Sequence, residues 1–217
     1  MKYIELKKFK NLLYINRQIA AALFPKDTAG NITIRFSQLA KSGKLIRLKR
    51  DIYIFTDQYQ ELKRYPEYLA VLACIIKQPA YLSLDYVLRK YEILSEATYG
   101  FTLVTLKKRS LITNKIGIFS YNQIAVELFT GYQAKTFLEF EYYEASKAKA
   151  LFDWIYYRIG QIQFERVGIN LVEDLRLNLE SFQQSDFQEL SSYIDLCKPQ
   201  EKMKIIINNL IKHAYYH

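Results

Sequence analysis

Residues 36–55 read Phe36-Ser37-Gln38-Leu39-Ala40-Lys41-Ser42-Gly43-Lys44-Leu45-Ile46-Arg47-Leu48-Lys49-Arg50-Asp51-Ile52-Tyr53-Ile54-Phe55. Together with Ile32, the apolar residues Phe36, Leu39 and Ala40 fall at helical spacing, which predicts a helix over residues 32–42 with one buried side. Gly43 ends it, because glycine alone takes a left-handed cap conformation without steric cost. Two β-rich runs follow, residues 44–48 and 52–55, separated by Lys49-Arg50-Asp51, and they read as a hairpin with a basic tip. The opposite side of the helix presents Ile34, Ser37, Gln38 and Lys41, with Thr33 and Arg35 at its borders.

Upstream, Tyr3, Ile4, Leu6 and Phe9 mark a short first helix, and Asn16 caps a second over residues 17–24, where Ile19 and Leu23 stand at i, i+4 spacing. The sequence from Pro25 to Asn31 reads as a polar turn. Three helices followed by a basic hairpin form the pattern of a winged helix-turn-helix, in which the third helix lies in the major groove of a duplex and the wing touches its backbone or minor groove. Thr33, Arg35, Ser37, Gln38, Lys41, Lys44, Arg47, Lys49 and Arg50 are then the residues expected to touch DNA. Glutamine pairs with adenine edges, serine and threonine reach bases or phosphate, and Lys and Arg neutralise phosphates. An amphipathic helix with a merely solvated polar face is the alternative reading of the same residues.

Charge bears on that choice. Residues 1–64 hold 14 Lys and Arg against 5 Asp and Glu, and so carry the whole net charge of +9. Residues 65–217 are balanced at 17 against 17. A positive excess confined to one small segment is the footprint of a polyanion-binding module. Between Arg35 and Arg50 there are six basic residues and no acidic one.

The chain's 217 residues, half of them hydrophobic, suffice for a small and a medium domain with a substantial core. The expected class is α+β: a winged helix-turn-helix over residues 1–60, a polar junction, and a larger mixed α+β domain over residues 66–217. In that larger part, helices are expected over residues 66–78, 83–91, 145–159 and 199–214. Strands are expected over residues 79–83, 101–106 and 136–143, with Ser83 also capping the helix that follows it, and extended structure with a turn over residues 111–121. Lys107-Lys108-Arg109 reads as a basic loop. The N-terminal stretch lacks a continuous apolar segment and a small-residue cleavage site, so it does not read as a signal peptide, and no run approaches a membrane span. The two cysteines, Cys74 and Cys197, are expected to be buried free thiols. A cytoplasmic protein without membrane association is the expectation.

The segment from Phe36 to Phe55 resembles the AbiEi-type family of antitoxins and transcriptional regulators, matching in order at Phe36, Leu39, Lys41, Gly43, Ile46, Arg47, Arg50 and Tyr53. Asp51 departs from the pattern, which carries glycine there. Pro79-Ala80-Tyr81-Leu82-Ser83-Leu84 resembles the family's strand-to-helix segment. Gly131 and the later run Lys149, Ala150, Leu151 and Asp153 are similar to its Ala-x-x-Lys-Ala-Leu-x-Asp segment. The resemblance covers residues 1–160. It implies a repressor of its own promoter, bound at inverted repeats. It also implies an antitoxin role in a type IV toxin-antitoxin, or abortive-infection, system against a nucleotidyltransferase-like toxin, without a stable complex.

Catalysis is not expected. The only histidines, His213 and His217, lie in the last five residues, no phosphate-cradling glycine loop is present, and two isolated cysteines make no zinc site. No cofactor or metal is implied. Glu139, Glu141 and Glu144 faintly suggest a nuclease-like cluster, against the plainer reading of a solvated strand edge. A winged-helix transcription factor with a sensing C-terminal domain and no toxin partner is the other function the residues allow.

Overall fold

The computed structural model describes residues 3–9, 11–95, 100–164 and 168–214. The remaining residues, His217 among them, and the side chain of Ile4 lie outside the described part. The architecture is mixed α+β, with ten α-helical segments and two sheets among the described residues.

The N-terminal part runs α1 (Tyr3–Lys7), α2 (Arg17–Leu23), α3 (Ala29–Lys41), β1 (Leu45–Lys49) and β2 (Ile52–Phe55). Asn16 caps α2, its side-chain oxygen accepting from Ile19 N at 2.7 Å. The third helix begins three residues earlier than its apolar periodicity predicts. Thr28 is its cap, accepting from Asn31 N, so the stretch Ala29-Gly30-Asn31 forms the first helical turn instead of a loop. A threonine cap satisfies one of the first orphan N–H groups and offsets the weak helix propensity of Gly30. Gly43 follows at φ 73°, where the chain turns into β1. The two strands pair antiparallel with an irregularity between Arg47 and Lys49.

Alternation along this hairpin ties it to two cores. Leu45, Tyr53 and Phe55 join Ile15, Ile32, Phe36 and Leu39 in a first buried cluster. Ile46, Leu48 and Ile54 face the other way, into the large core of the remaining chain. Residues that read as a polar junction form α4 (Thr56–Leu62), which follows β2 directly.

The larger sheet has the order β5-β6-β4-β3-β8-β7. Its strands are β3 (Ala80–Leu82), β4 (Phe101–Thr105), β5 (Ser110–Asn114), β6 (Gly117–Gln123), β7 (Tyr132–Phe137) and β8 (Phe140–Ala145). The β5–β6 and β7–β8 hairpins occupy the two edges, while β3 runs parallel to β8 and β4 parallel to β6. Residues 136–143, which alternate like one strand, are two halves of the β7–β8 hairpin. Leu138 at its tip takes φ 53°, a turn that a period-two pattern cannot reveal.

Around the sheet lie α5 (Pro66–Ile76), α6 (Asp85–Lys90), α7 (Lys147–Arg158), α8 (Leu171–Asp174), α9 (Gln184–Ser192) and α10 (Gln200–Ala214). Tyr121 donates its hydroxyl to Ala73 O of α5 at 2.6 Å. Ser146 caps α7 as its spacing to Lys149 allows, accepting from Lys149 N at 2.9 Å. Ser83 does not cap α6. Leu84 holds that position at φ 59°, and the Ser83 hydroxyl turns inward to Asp153.

Candidate nucleic-acid interface

The inward side of α3 is set by Ile32, Phe36 and Leu39, all buried. Its opposite side is thereby exposed, and Thr33, Ser37, Gln38 and Lys41 lie on it in open solvent. Ile34 stands among them 59% exposed. A large apolar side chain so placed is suited to a thymine methyl group. The Thr33 and Ser37 hydroxyls donate to Ala29 O and Thr33 O, at 2.9 and 3.0 Å, and keep lone pairs for an outside donor. Arg35 is half-buried. Its Nη1 donates to Gln38 Oε1 at 3.3 Å, while its buried Nε has no partner. An unsatisfied guanidinium N–H costs free energy in the free protein.

The hairpin continues this surface. Lys44, Arg47 and Arg50 are exposed, with Lys44 Nζ 4.8 Å from the centroid of the Tyr3 ring. Arg47 Nε donates to Lys49 O at 3.3 Å across the bulge. Asp51 takes the left-handed conformation at φ 66°. Its carboxylate accepts from Arg17 N at 3.2 Å and Arg17 Nε at 2.8 Å. The residue that departs from glycine at this turn therefore clamps the hairpin tip to the start of α2, and Arg17 balances its charge. Among the described residues, Lys41, Lys44, Arg47, Lys49 and Arg50 have no carboxylate partner.

Three-dimensional packing adds cations that sequence reasoning did not attach to this surface. Asn114, at the end of β5, donates Nδ2 to Leu48 O at 2.8 Å and holds the hairpin against the large sheet. The loop carrying Lys107 comes close behind it. Burial, then Lys107, then Lys77 push the Lys49 ammonium below the ordinary lysine range. Lys77 is pushed the same way by burial and by Lys107. Its ammonium donates to Lys108 O and, at 2.8 Å, to Ser110 Oγ. The signal was the run Lys107-Lys108-Arg109, but nothing local says that it returns to a hairpin some sixty residues earlier.

No protein-family model matches the chain. No curated protein sequence matches it either.

Elsewhere several charged groups are paired internally. Lys149 and Asp153, one turn apart on α7, form a fully buried ion pair. Ser83 Oγ and Tyr81 Oη also donate to Asp153 Oδ2, at 2.7 and 3.1 Å. Burial pushes the Asp153 carboxyl above the usual carboxylate range, opposed by Lys149 and by the two hydroxyls. Gly131, at φ 74°, lies so close that a Cβ there would come within 2.1 Å of Tyr193 Oη and 2.9 Å of Lys149 Cδ. These motif positions thus serve a buried polar cluster. The three glutamates do not converge. Glu139 lies in the turn between β7 and β8, Glu141 is exposed on β8, and Glu144 is buried with both oxygens 2.8–2.9 Å from Lys90 Nζ. Among the described residues no group of three or more His, Cys, Asp or Glu could hold a metal ion. No helix among them is long and apolar enough to cross a membrane.

Proposed function

We propose that this chain is a DNA-binding transcriptional regulator. Its N-terminal part acts as a winged helix-turn-helix, with α3 in the major groove and β1–β2 as the wing on the flanking backbone. One observation carries the reading: five cations on the exposed side of α3 and along the hairpin, from Lys41 to Arg50, lack any internal carboxylate partner among the described residues. Unpaired, closely spaced cations cost free energy in the free protein and are stabilised by phosphates, whose condensed counterions are released on binding. Ile34 and Gln38 supply base-edge contacts, and the cations supply register and salt sensitivity. Lys77 and Lys107 extend the phosphate-facing surface behind the wing.

The resemblance to AbiEi-type proteins supports the finer reading. The chain represses its own promoter at inverted repeats and, in the cytoplasm, counters a nucleotidyltransferase-like toxin without forming a stable complex with it. It requires no cofactor, performs no catalysis and needs no membrane. A gel-shift titration on the DNA upstream of its own gene tests the first part. Replacing Lys41, Arg47 and Arg50 together by Ala should weaken binding at least about 100-fold and reduce the slope of log K against log salt by roughly 2 to 3. Unchanged binding would remove the interface. Co-expression with the neighbouring gene in a growth assay tests the antitoxin part. No rescue of growth, with promoter binding intact, leaves a winged-helix regulator whose C-terminal domain senses something else.

A further inference from the structure

The body of the protein contains two aromatic enclosures that share a wall. In the first, the protein's own Lys149 ammonium lies 5.8, 5.2 and 5.1 Å from the ring centroids of Tyr81, Phe152 and Tyr193. Tyr81 stacks on Tyr132 with centroids 4.7 Å apart. Tyr132 also lines the second enclosure, a cavity of about 410 Å3 bordered by Phe129 and Tyr143 as well, with Cys74, Ala80 and Glu141. The three rings do not stack flat. Phe129 and Tyr132 meet at 60° with centroids 5.2 Å apart, and Tyr132 and Tyr143 meet at 78° at 5.6 Å. All three rings line the same cavity, at steep angles to one another.

The chemistry of that corner is selective. An aromatic face carries negative quadrupole potential, so it attracts a cation whose hydration shell is easily removed. Glu141 stands two residues before Tyr143 on β8, hence on the same side of the strand. Among the described residues it has no salt-bridge partner. Burial pushes the Cys74 thiol up to about 12, so it adds no charge at neutral pH. A primary ammonium is strongly hydrated and prefers water, whereas a methylated nitrogen presents apolar methyl groups and a diffuse charge.

We propose that this cavity binds a quaternary or methylated ammonium group, its methyls against Phe129, Tyr132 and Tyr143 and its charge balanced by Glu141. The site is independent of the DNA-binding surface. The test is calorimetric titration of the full chain with choline and with 3,3-dimethylbutan-1-ol, the uncharged molecule of the same shape. Choline should bind about 3- to 30-fold more tightly than the neutral isostere. Tyr143→Leu keeps apolar bulk but removes a ring face, and should weaken choline by a similar factor without changing the thermal unfolding. Glu141→Gln should weaken choline a few-fold and flatten its salt dependence, and it decides the matter alone if the tyrosine variant does not fold. Equal affinity for the two ligands, no choline binding below roughly 0.1 M, or unchanged binding in the variant that folds would overturn the proposal.

Discussion

The two ends of the molecule use the same residue types in opposite ways. In the stretch from Lys41 to Arg50 the cations, exposed except for the half-buried Lys49, have no carboxylate partners among the described residues. In the body, Lys90, Lys147, Lys149 and Arg158 are each bound to a carboxylate, at Glu144, Asp186, Asp153 and Asp85. Internal pairing turns a cation into a structural element, because its field is spent within a few ångströms. An unpaired cluster keeps its field outward and pays in self-repulsion. The contrast separates a part whose cations hold its own shape from a part whose cations stay open to solvent, as the proposed DNA-binding role requires.

The sharpest way to break this contrast is at Lys149 and Asp153. Removing one partner leaves an uncompensated buried charge. Lys149→Met or Asp153→Ala alone should therefore cost about 3–5 kcal/mol in denaturant unfolding, while the double replacement Lys149→Met/Asp153→Leu should recover most of that loss. A cost under roughly 1 kcal/mol for either single variant would mean that the pair is not buried as described.

Within the N-terminal surface, Gln38→Ala tests readout rather than charge. Its expected effect is a loss of about 1–3 kcal/mol in discrimination between the operator and a one-base variant, with little change in salt dependence, measured by competition gel shift. A uniform loss on all sequences would reassign Gln38 to the backbone.

Asp51 separates turn strain from ion pairing. Asp51→Ala loses the Arg17 contact and places an alanine at positive φ, so it should destabilise by roughly 1–2 kcal/mol. Asp51→Gly loses the contact but relieves the backbone and should lie within about 0.5 kcal/mol of the parent in thermal unfolding.

The smallest effect is expected at Lys107→Gln. One phosphate contact fewer should reduce the salt slope by about 0.9. Stability should be unchanged or slightly higher, because Lys49 and Lys77 are both held below their ordinary value of 10.5 and Lys107 contributes to each shift. The folded state then binds fewer protons than the unfolded one between the lowered and the ordinary values. The cost is thus present at neutral pH and fades as pH rises through that window, so the gain on removing Lys107 should shrink at alkaline pH. A marked loss of stability in this variant would contradict the repulsion.

Periodicity, capping residues and local charge reach only as far as a turn or a strand, and what they determined lies within that range. The mixed α+β class, the buried side of α3 through Ile32, Phe36 and Leu39, the β1–β2 pair, the cap at Asn16 and the extent of α10 could all be read from residues a few positions apart. The tertiary structure alone decided what depends on closing the six-stranded sheet. It brought Lys107 and Lys77 beside Lys49, buried Lys149 against Asp153, set Phe129 and Tyr143 around one cavity, and sent Glu139, Glu141 and Glu144 to separate surroundings. Electrostatic and aromatic contacts fall off with distance through space, and neighbours in space here are up to some seventy residues apart along the chain, as Tyr81 and Asp153 are.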